Sequence, residues 1–439
     1  MSITIGGMER TDTVSPCEWN AFWAEHGQPW RTEPEIAADR QAELAARRAI
    51  TPDVLRGDYA FNGVRLERAD IEWLLATHED GRGPVDPNDA SQHERVGLDL
   101  RGADLSHAQL SNLPLARAAC HAIRPTRQDL TEEQRRMAAI DLHGADLSHA
   151  HLEGSCLDYA NLERADLSGC HLEGASLWAV NLREADCDGV HLEDTDLWNA
   201  HLEGAFLYRA YLQRARLHEV HLAGAHLFGV RLTDADGVGP MLSDVHWEGV
   251  ILSVVGWSAI RVLGDDCRAL QRERDGVAKD RALRTQEFKS AMRANQQLAL
   301  ALRAQGMTDD AGRFFYRSRV IRRKMLALYG GRRAGSYLVS LALAGLTGYG
   351  YRMGRMVVAY LVLVAFFAAL YYGFGQAGIS HLGWREAAVL SITAFHGRVF
   401  TAPFTPNSPQ SVVTAVEAIT GFLFEGLFIA MLAQRVFGW

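Results

Sequence analysis

Leucine returns at every fifth position from Leu142 to Leu232, and only Cys187 interrupts it. Two places ahead of each leucine stands a small residue: Ala145 before Leu147, Ala160 before Leu162, Val190 before Leu192. A helix repeats every 3.6 residues and a strand every 2, so a period of five belongs to neither. It describes a solenoid, in which no repeat buries its apolar face alone and each stacks on its neighbours. Such a stack argues against a catalytic domain in the middle of the chain.

The pentad reads A-(D/N)-L-x-x, as in Ala145-Asp146-Leu147 and Ala160-Asn161-Leu162. Over about residues 98–257 it resembles the pentapeptide-repeat family. The resemblance implies a right-handed quadrilateral β-helix of about 20 residues per coil, stacked at ~4.8 Å, with the leucine and the small residue inward and the other three toward water. The phase misses at Gly237 and resumes with Leu242, Trp247, Leu252 and Trp257, which predicts a widened final coil capping the stack. Earlier pieces keep the phase at Phe61, Leu66 and Ile71, and again at Leu100, Leu105, Leu110 and Leu115. The β-helix is therefore placed at 59–257, with inserts near 72–96 and 116–139. The first insert is rich in Gly, Pro and Asp and reads as a loop. The second carries Asp129–Gln134, the opening of a short capped helix. Residues 1–58 are Trp-rich and partly helical, notably Glu35–Ile50, and carry no functional signature.

Net charge is −8 over 439 residues, unevenly spread. The stretch 141–236 is acidic, whereas 261–333 is basic, with Arg313, Arg317, Arg319, Arg322, Arg323 and Lys324 crowded near its end. The six cysteines form no CxxC pair, and Cys170 and Cys187 fall in inward slots, so no disulfide framework is expected. No secretory signal opens the chain. Lysine occurs only at 279, 289 and 324 while arginine is abundant, the usage of a GC-rich bacterial genome. Residues 258–333 read as a basic helical coupler, weakly similar to a tetratricopeptide hairpin, and 334–352 as an interfacial helix too short to span.

Met356–Gly375 holds 20 residues without a charge, enough for the ~30 Å hydrocarbon layer. Ser411–Gln434 is a second apolar run, carrying only Glu417 and Glu425. Tyr349, Tyr351, Tyr371, Tyr372, Trp384 and Trp439 stand where an aromatic belt would. Arginines crowd before the first run and Arg435 follows the second, so both termini and the repeats are expected in the cytoplasm of a bacterial inner membrane.

Between the runs, Trp384–Phe395 has the length of a short helix, followed by His396–Phe400 and a Pro-rich return. Irregular backbone at membrane depth persists only beside water or inside protein. Residues 353–439, with a re-entrant loop at 384–400, resemble the two-transmembrane, potassium-channel-like family, which implies four subunits around one pore. The filter candidates are Thr393, Ala394, Phe395, His396, Gly397 and Arg398. A potassium filter needs a glycine-rich run of carbonyls, and one glycine departs from that pattern, so potassium selectivity is not carried over. Arg398 either faces the path or pairs with Glu386 or Glu417. His396 either titrates at the mouth or bonds a backbone carbonyl.

A carboxylate inside a span costs ~2.5–3.5 kcal/mol, so Glu417 and Glu425 should face protein or a cavity. Their spacing of eight puts them within about 80° on a helix, with Gly421 between them. Glu425 is a candidate acidic ring that attracts cations; Glu417 is a candidate filter support bonded to Ser391 or Thr393. On the solenoid His151, His171 and His191 recur once per expected coil, each followed two places on by a glutamate, and read as a solvated stripe or a metal or proton ladder. No nucleophile–base pair or phosphate loop points to an enzyme, and no cofactor or nucleic-acid partner is expected. The expected partners are the lipid bilayer, inorganic ions and further copies of the chain. The competing class is a membrane-anchored, non-conducting scaffold whose repeats recruit a protein, with a DNA-mimicking topoisomerase binder as a minor option.

Overall fold

The computed structural model describes residues 16–53, 56–92, 94–119, 131–274, 276–350, 353–376, 383–398 and 409–437. They form two compact units, Met1–Phe314 and Phe315–Trp439.

The first unit opens with helices α1 (Pro16–Glu25), α2 (Ala38–Arg48) and α3 (Arg68–Ala76). Buried Glu72 ties them together. Its carboxylate accepts hydrogen bonds from the Thr32 and Glu33 backbone N–H groups and from Arg68 Nε. Arg68 also donates to the Gln109 and Ser111 carbonyls, which fixes this block to the coils. The N-terminal segment thus covers the first coil edge, a role its sequence did not reveal. Ile71 is buried, but on α3 and not on a coil, so the repeat phase at 61–71 ends at Leu66 and the expected loop begins as helix.

From Asp141 the parallel bridges step by 20 residues in four columns, beginning Asp141↔Asn161, Asp146↔Asp166, His151↔His171 and Cys156↔Ser176. Leucine N–H groups donate to the next coil, as from Leu147 to the Asp166 carbonyl at 2.7 Å. Leu147, Ala150, Leu162 and Leu177 are fully buried, as the pentad requires. Corners close with bonds such as Ala145 N–H to the Leu142 carbonyl. The second outward residue then takes φ between 53° and 73° from Gly144 to Gly229, the sign pattern of a type II turn. Glycine fills that slot at Gly154 and Gly174, while Ala179 and Arg209 occupy it under strain. The sequence pattern left this slot as a free x.

Where Asp104 pairs with Asp141 and Pro114 with His151, the step is 37, so an insert separates neighbouring coils. It begins later than expected, because Ala119 still bridges both Asp99 and Cys156. Its helix α4 (Glu132–Ala138) has a reciprocal cap between Thr131 and Gln134; Asp129 and Leu130 lie outside the described residues. Arg216↔Met241 and His221↔His246 step by 25, so five extra residues explain the missed phase at Gly237. Two short 3-10 turns, Leu252–Val254 and Trp257–Ala259, follow, with Trp257 buried.

Helix α5 (Gly264–Leu270), the hairpin β1 (Glu273–Arg274) with β2 (Val277–Ala278), and α6 (Arg281–Ala304) close this end. Gln297 and Gln305 on or just beyond α6 donate and accept at Asp244, Val250 and Leu252. The expected coupler is therefore not one body: α6 belongs to the first unit, and the division falls inside α7 (Thr308–Ala327).

The second unit continues with α8 (Ala334–Leu346), α9 (Met353–Gln376), α10 (Trp384–Phe395) and α11 (Pro409–Phe437). Gly354–Gly373 and Pro409–Ala433 are long and apolar enough to cross a membrane. Their outward faces show Val358, Leu361, Val362, Ile419, Phe422 and Leu423 exposed. The short α10 packs against both α9 and α11.

Candidate functional site

The polar centre of the second unit is Glu417, fully buried on α11. Tyr371 on α9 donates its hydroxyl to Glu417 Oε2 at 2.8 Å, and lies 3.1 Å from Thr414 Oγ1. Ser391 on α10 sits between two acceptors, Glu417 Oε1 at 2.5 Å and the Val364 carbonyl of α9 at 3.0 Å. The Ser391 oxygen thus lies within hydrogen-bond distance of both long helices, its single hydrogen serving one of the two contacts at a time. The expected Ser391 partnership of Glu417 is present, and Tyr371, a residue of the expected aromatic belt, is its second partner. A phenol buried in an apolar helix needs a hydrogen-bond partner, and that was the signal available. Tyr372 and Trp384 are exposed, whereas Tyr351 and Trp439 lie outside the described residues.

Gly421, one turn further along α11, lies directly against the C-terminal end of α10. A Cβ built there would overlap the Phe395 carbonyl oxygen. Two turns on from Glu417, Glu425 accepts from or donates to His396 Nδ1 at 2.5 Å, and Tyr360 Oη lies 3.3 Å from His396 Nε2. His396 therefore pairs with a side chain and not with a backbone carbonyl. Glu417, Gly421 and Glu425 all face the C-terminal half of α10, as their shared helical face predicts.

The short helix expected at Trp384–Phe395 is present and takes in the first three filter candidates. Thr393, Ala394 and Phe395 are the last turn of α10. Gly397 N–H bonds the Ala394 carbonyl and Arg398 N–H bonds the Thr393 carbonyl, with φ of +65° at Gly397. This is a Schellman cap, so the lone glycine terminates a helix. With the Phe395 oxygen packed on Gly421, these three carbonyls are not laid out as ion ligands. Arg398 is exposed and, among the described residues, ion-pairs with neither Glu386 nor Glu417. Glu386 instead caps its own helix by accepting from Gly383 N–H at 2.9 Å.

On the solenoid, the rings of His151, His171 and His191 stack with centroids 4.9 and 4.6 Å apart and planes within 11°. Tyr211 continues the column at 4.3 Å, and Arg231 covers Tyr211. His151 and His171 bond Glu153 and Glu173 through Nδ1 at 2.8 and 3.0 Å. His201, His221 and His246 stack in a second column, where Arg183 bonds His201 and Glu203. The trios His171–Glu173–His191 and His201–Glu203–His221 bring their ligand atoms within 4.8 Å. A metal lies in the plane of every imidazole that binds it, and parallel planes share no point. Neither trio meets on one ion while the stack is intact.

A cleft of about 960 Å³ lies in the first unit, lined by Trp198, Arg216, His218, Asp265, Arg268 and Glu287 among others. Asp265 is buried, with Oδ2 accepting from Leu242 N–H at 2.6 Å and Oδ1 3.9 Å from His218 Nδ1. Burial pushes its carboxyl up to about 7, opposed by the Leu242 N–H and reinforced by Asp266. Burial and then Arg268 lower the pKa of His218.

The Pentapeptide repeats family model matches residues 160–199 and 199–234. This part of the chain is a pentapeptide-repeat region. Three solved structures are similar to it. The pentapeptide-repeat protein Rfr23 from the cyanobacterium Cyanothece 51142 is 28% identical, covering 33% of this chain and 91% of its own, with TM-score 0.25. HetL from the cyanobacterium Nostoc sp. strain PCC 7120, involved in heterocyst differentiation regulation, is 24% identical over 36% and 83%, with TM-score 0.17. QnrB1, a plasmid-mediated fluoroquinolone resistance protein, is 19% identical over 42% and 85%, with TM-score 0.21. No curated protein matches the chain.

Proposed function

We propose that the chain is a bacterial inner-membrane ion channel, assembled as a homotetramer of α9–α10–α11 units, with both termini and the repeat region cytoplasmic. The observation that carries this reading is the short helix α10, held between two helices of spanning length by Ser391 and Glu417. A helix that enters the bilayer partway needs such a polar clasp, because its ends cannot rest in hydrocarbon. The arginine-rich flank before α9 and the sparse charge between the spans support the cytoplasmic orientation. Potassium selectivity is not proposed, since the Thr393–Phe395 carbonyls are engaged inside the subunit. The repeat region, as a right-handed quadrilateral β-helix, acts as a sensor or scaffold that recruits a cytoplasmic protein, and no catalytic step or cofactor is assigned.

Purified full-length protein in planar bilayers tests the reading. It should pass current, and Glu425→Gln should shift the cation permeability ratios, because Glu425 is half-exposed at the end of the clasp. Unchanged ratios remove Glu425 from the path. Absence of current across pH, voltage and divalent-ion conditions overturns the channel and leaves the membrane-tethered scaffold.

A further inference from the structure

Arg319 and Arg322 stand three residues apart on α7, so they share a helix face. Both are exposed, and among the described residues neither forms an ion pair. No Asp or Glu occurs in the sequence between Asp310 and Glu386. The two guanidiniums border a cavity of about 690 Å³ whose other walls come from α8 and the C-terminal half of α11. Ser336 and Ser340 also line it, and the Ser340 hydroxyl lies 2.8 Å from that of Tyr349, which also accepts from Arg323. The rest of its lining includes apolar side chains: Val339 and Leu343 on the same face of α8 as the two serines, and Leu427 and Met431 on α11.

The cavity therefore combines two cations and two hydroxyls with apolar surface. A free anion would satisfy the guanidiniums and leave the apolar wall wet. An apolar peptide would cover the wall and leave two cations without a counter-charge. A molecule with a phosphodiester beside an acyl chain satisfies both, because arginine binds phosphate oxygens in a bidentate fork and apolar surface prefers hydrocarbon to water. Basic pockets among membrane helices on the cytoplasmic side meet a leaflet rich in such lipids.

We propose that the α7–α8–α11 cavity is a binding site for one anionic phospholipid, its phosphate held by Arg319 and Arg322 and its acyl chain laid along Val339, Leu343 and Met431. The proposal rests on the membrane reading above. Lipid held there bridges α7, which leads out of the repeat unit, to α11, which carries Glu417 and Glu425.

The test is native mass spectrometry of the detergent-purified full chain, titrated in turn with phosphatidylglycerol, phosphatidylcholine and inorganic phosphate. Phosphatidylglycerol should give a retained adduct, and the double variant R319A/R322A should weaken it roughly tenfold, the scale of losing charge-assisted bonds. R319K/R322K should recover part of the loss. Val339→Trp, which fills apolar space in the cavity and leaves both arginines, should weaken the lipid adduct while sparing any phosphate adduct. Equal competition by inorganic phosphate overturns the lipid in favour of a soluble anion. An unchanged adduct in R319A/R322A overturns the site, as does a change of oligomeric mass without a change of lipid binding, which would mean a second copy closes the cavity. If the chain instead stays monodisperse without detergent and binds no lipid at all, the membrane reading fails before the pocket is reached.

Discussion

Leu177 and Glu417 are both fully buried, one in the repeat unit and one in the helical unit, and they hold their surroundings in different ways. Leu177 is one of many equivalent residues. Its neighbours above and below, Leu157 and Leu197, do the same work, and each coil touches only the next. Glu417 has no equivalent. Tyr371, Ser391 and, through Ser391, Val364 meet at one carboxylate, and a single glycine sets how closely α10 and α11 approach. Redundancy lets the solenoid carry variable faces, whereas the helical unit concentrates its specificity in a few contacts far apart in sequence.

Two glycines offer the sharpest contrast. Gly421→Val drives a side chain into the Phe395 carbonyl, which is backbone and cannot step aside. It should abolish a monodisperse detergent-solubilised species on size exclusion, the largest effect expected of any single change. Gly174→Ala in the repeat unit meets open space, although its φ is +68°; it should cost only about 1–2 kcal/mol of backbone strain. A Gly421→Val protein that elutes and melts like the parent would break the contrast. Next in size is Leu177→Ala, with an expected loss of about 2–5 kcal/mol. Because coupling runs between adjacent coils, amide exchange should accelerate around 157 and 197 and stay unchanged near 105–115. Uniform acceleration along the whole stack would show that the coils do not act as nearest neighbours.

The same difference decides what was legible in the sequence. The repeat was readable because every pentad restates it, so the coils follow from Leu142 onward without any long-range knowledge. Its interruptions were harder. Ile71 kept the phase by coincidence while lying on a helix, and the positive-φ corner looked like a free position because side chains as different as Tyr159, Arg164, Ala179 and Asp194 fill it. In the helical unit, the order long apolar helix, short helix, long apolar helix and the shared face of Glu417, Gly421 and Glu425 were legible from hydropathy and helical geometry. The clasp was not, since Tyr371 and Glu417 lie 46 residues apart with no periodicity linking them. Among the filter candidates Thr393–Arg398, Gly397 also carries a local signal that hydropathy alone does not separate: a glycine after an apolar helical run commonly ends a helix.

Asp265 shares a trait with each kind of region and gives the one expected effect that depends on pH. It caps the far end of the stack through the Leu242 N–H, yet it is a single buried carboxylate like Glu417. Its carboxyl is pushed up to about 7 by burial, whereas in the unfolded chain it titrates near ~4. Between those values the folded chain holds a proton that the unfolded chain has released. Stability from this group is therefore full below about pH 4, falls as pH rises to about 7, and is level above that. The amide introduced by Asp265→Asn keeps an acceptor for the Leu242 N–H and cannot ionise. His218, whose pKa is lowered by burial and Arg268, works in the opposite direction, but it is present in both proteins and largely cancels in their difference. The melting temperature of Asp265→Asn relative to the parent should therefore be higher at pH 8 than at pH 5, by roughly 2–4 °C for each kcal/mol recovered. An advantage that is equal at both pH values, or larger at pH 5, would mean that the carboxylate stays charged and paired in the fold.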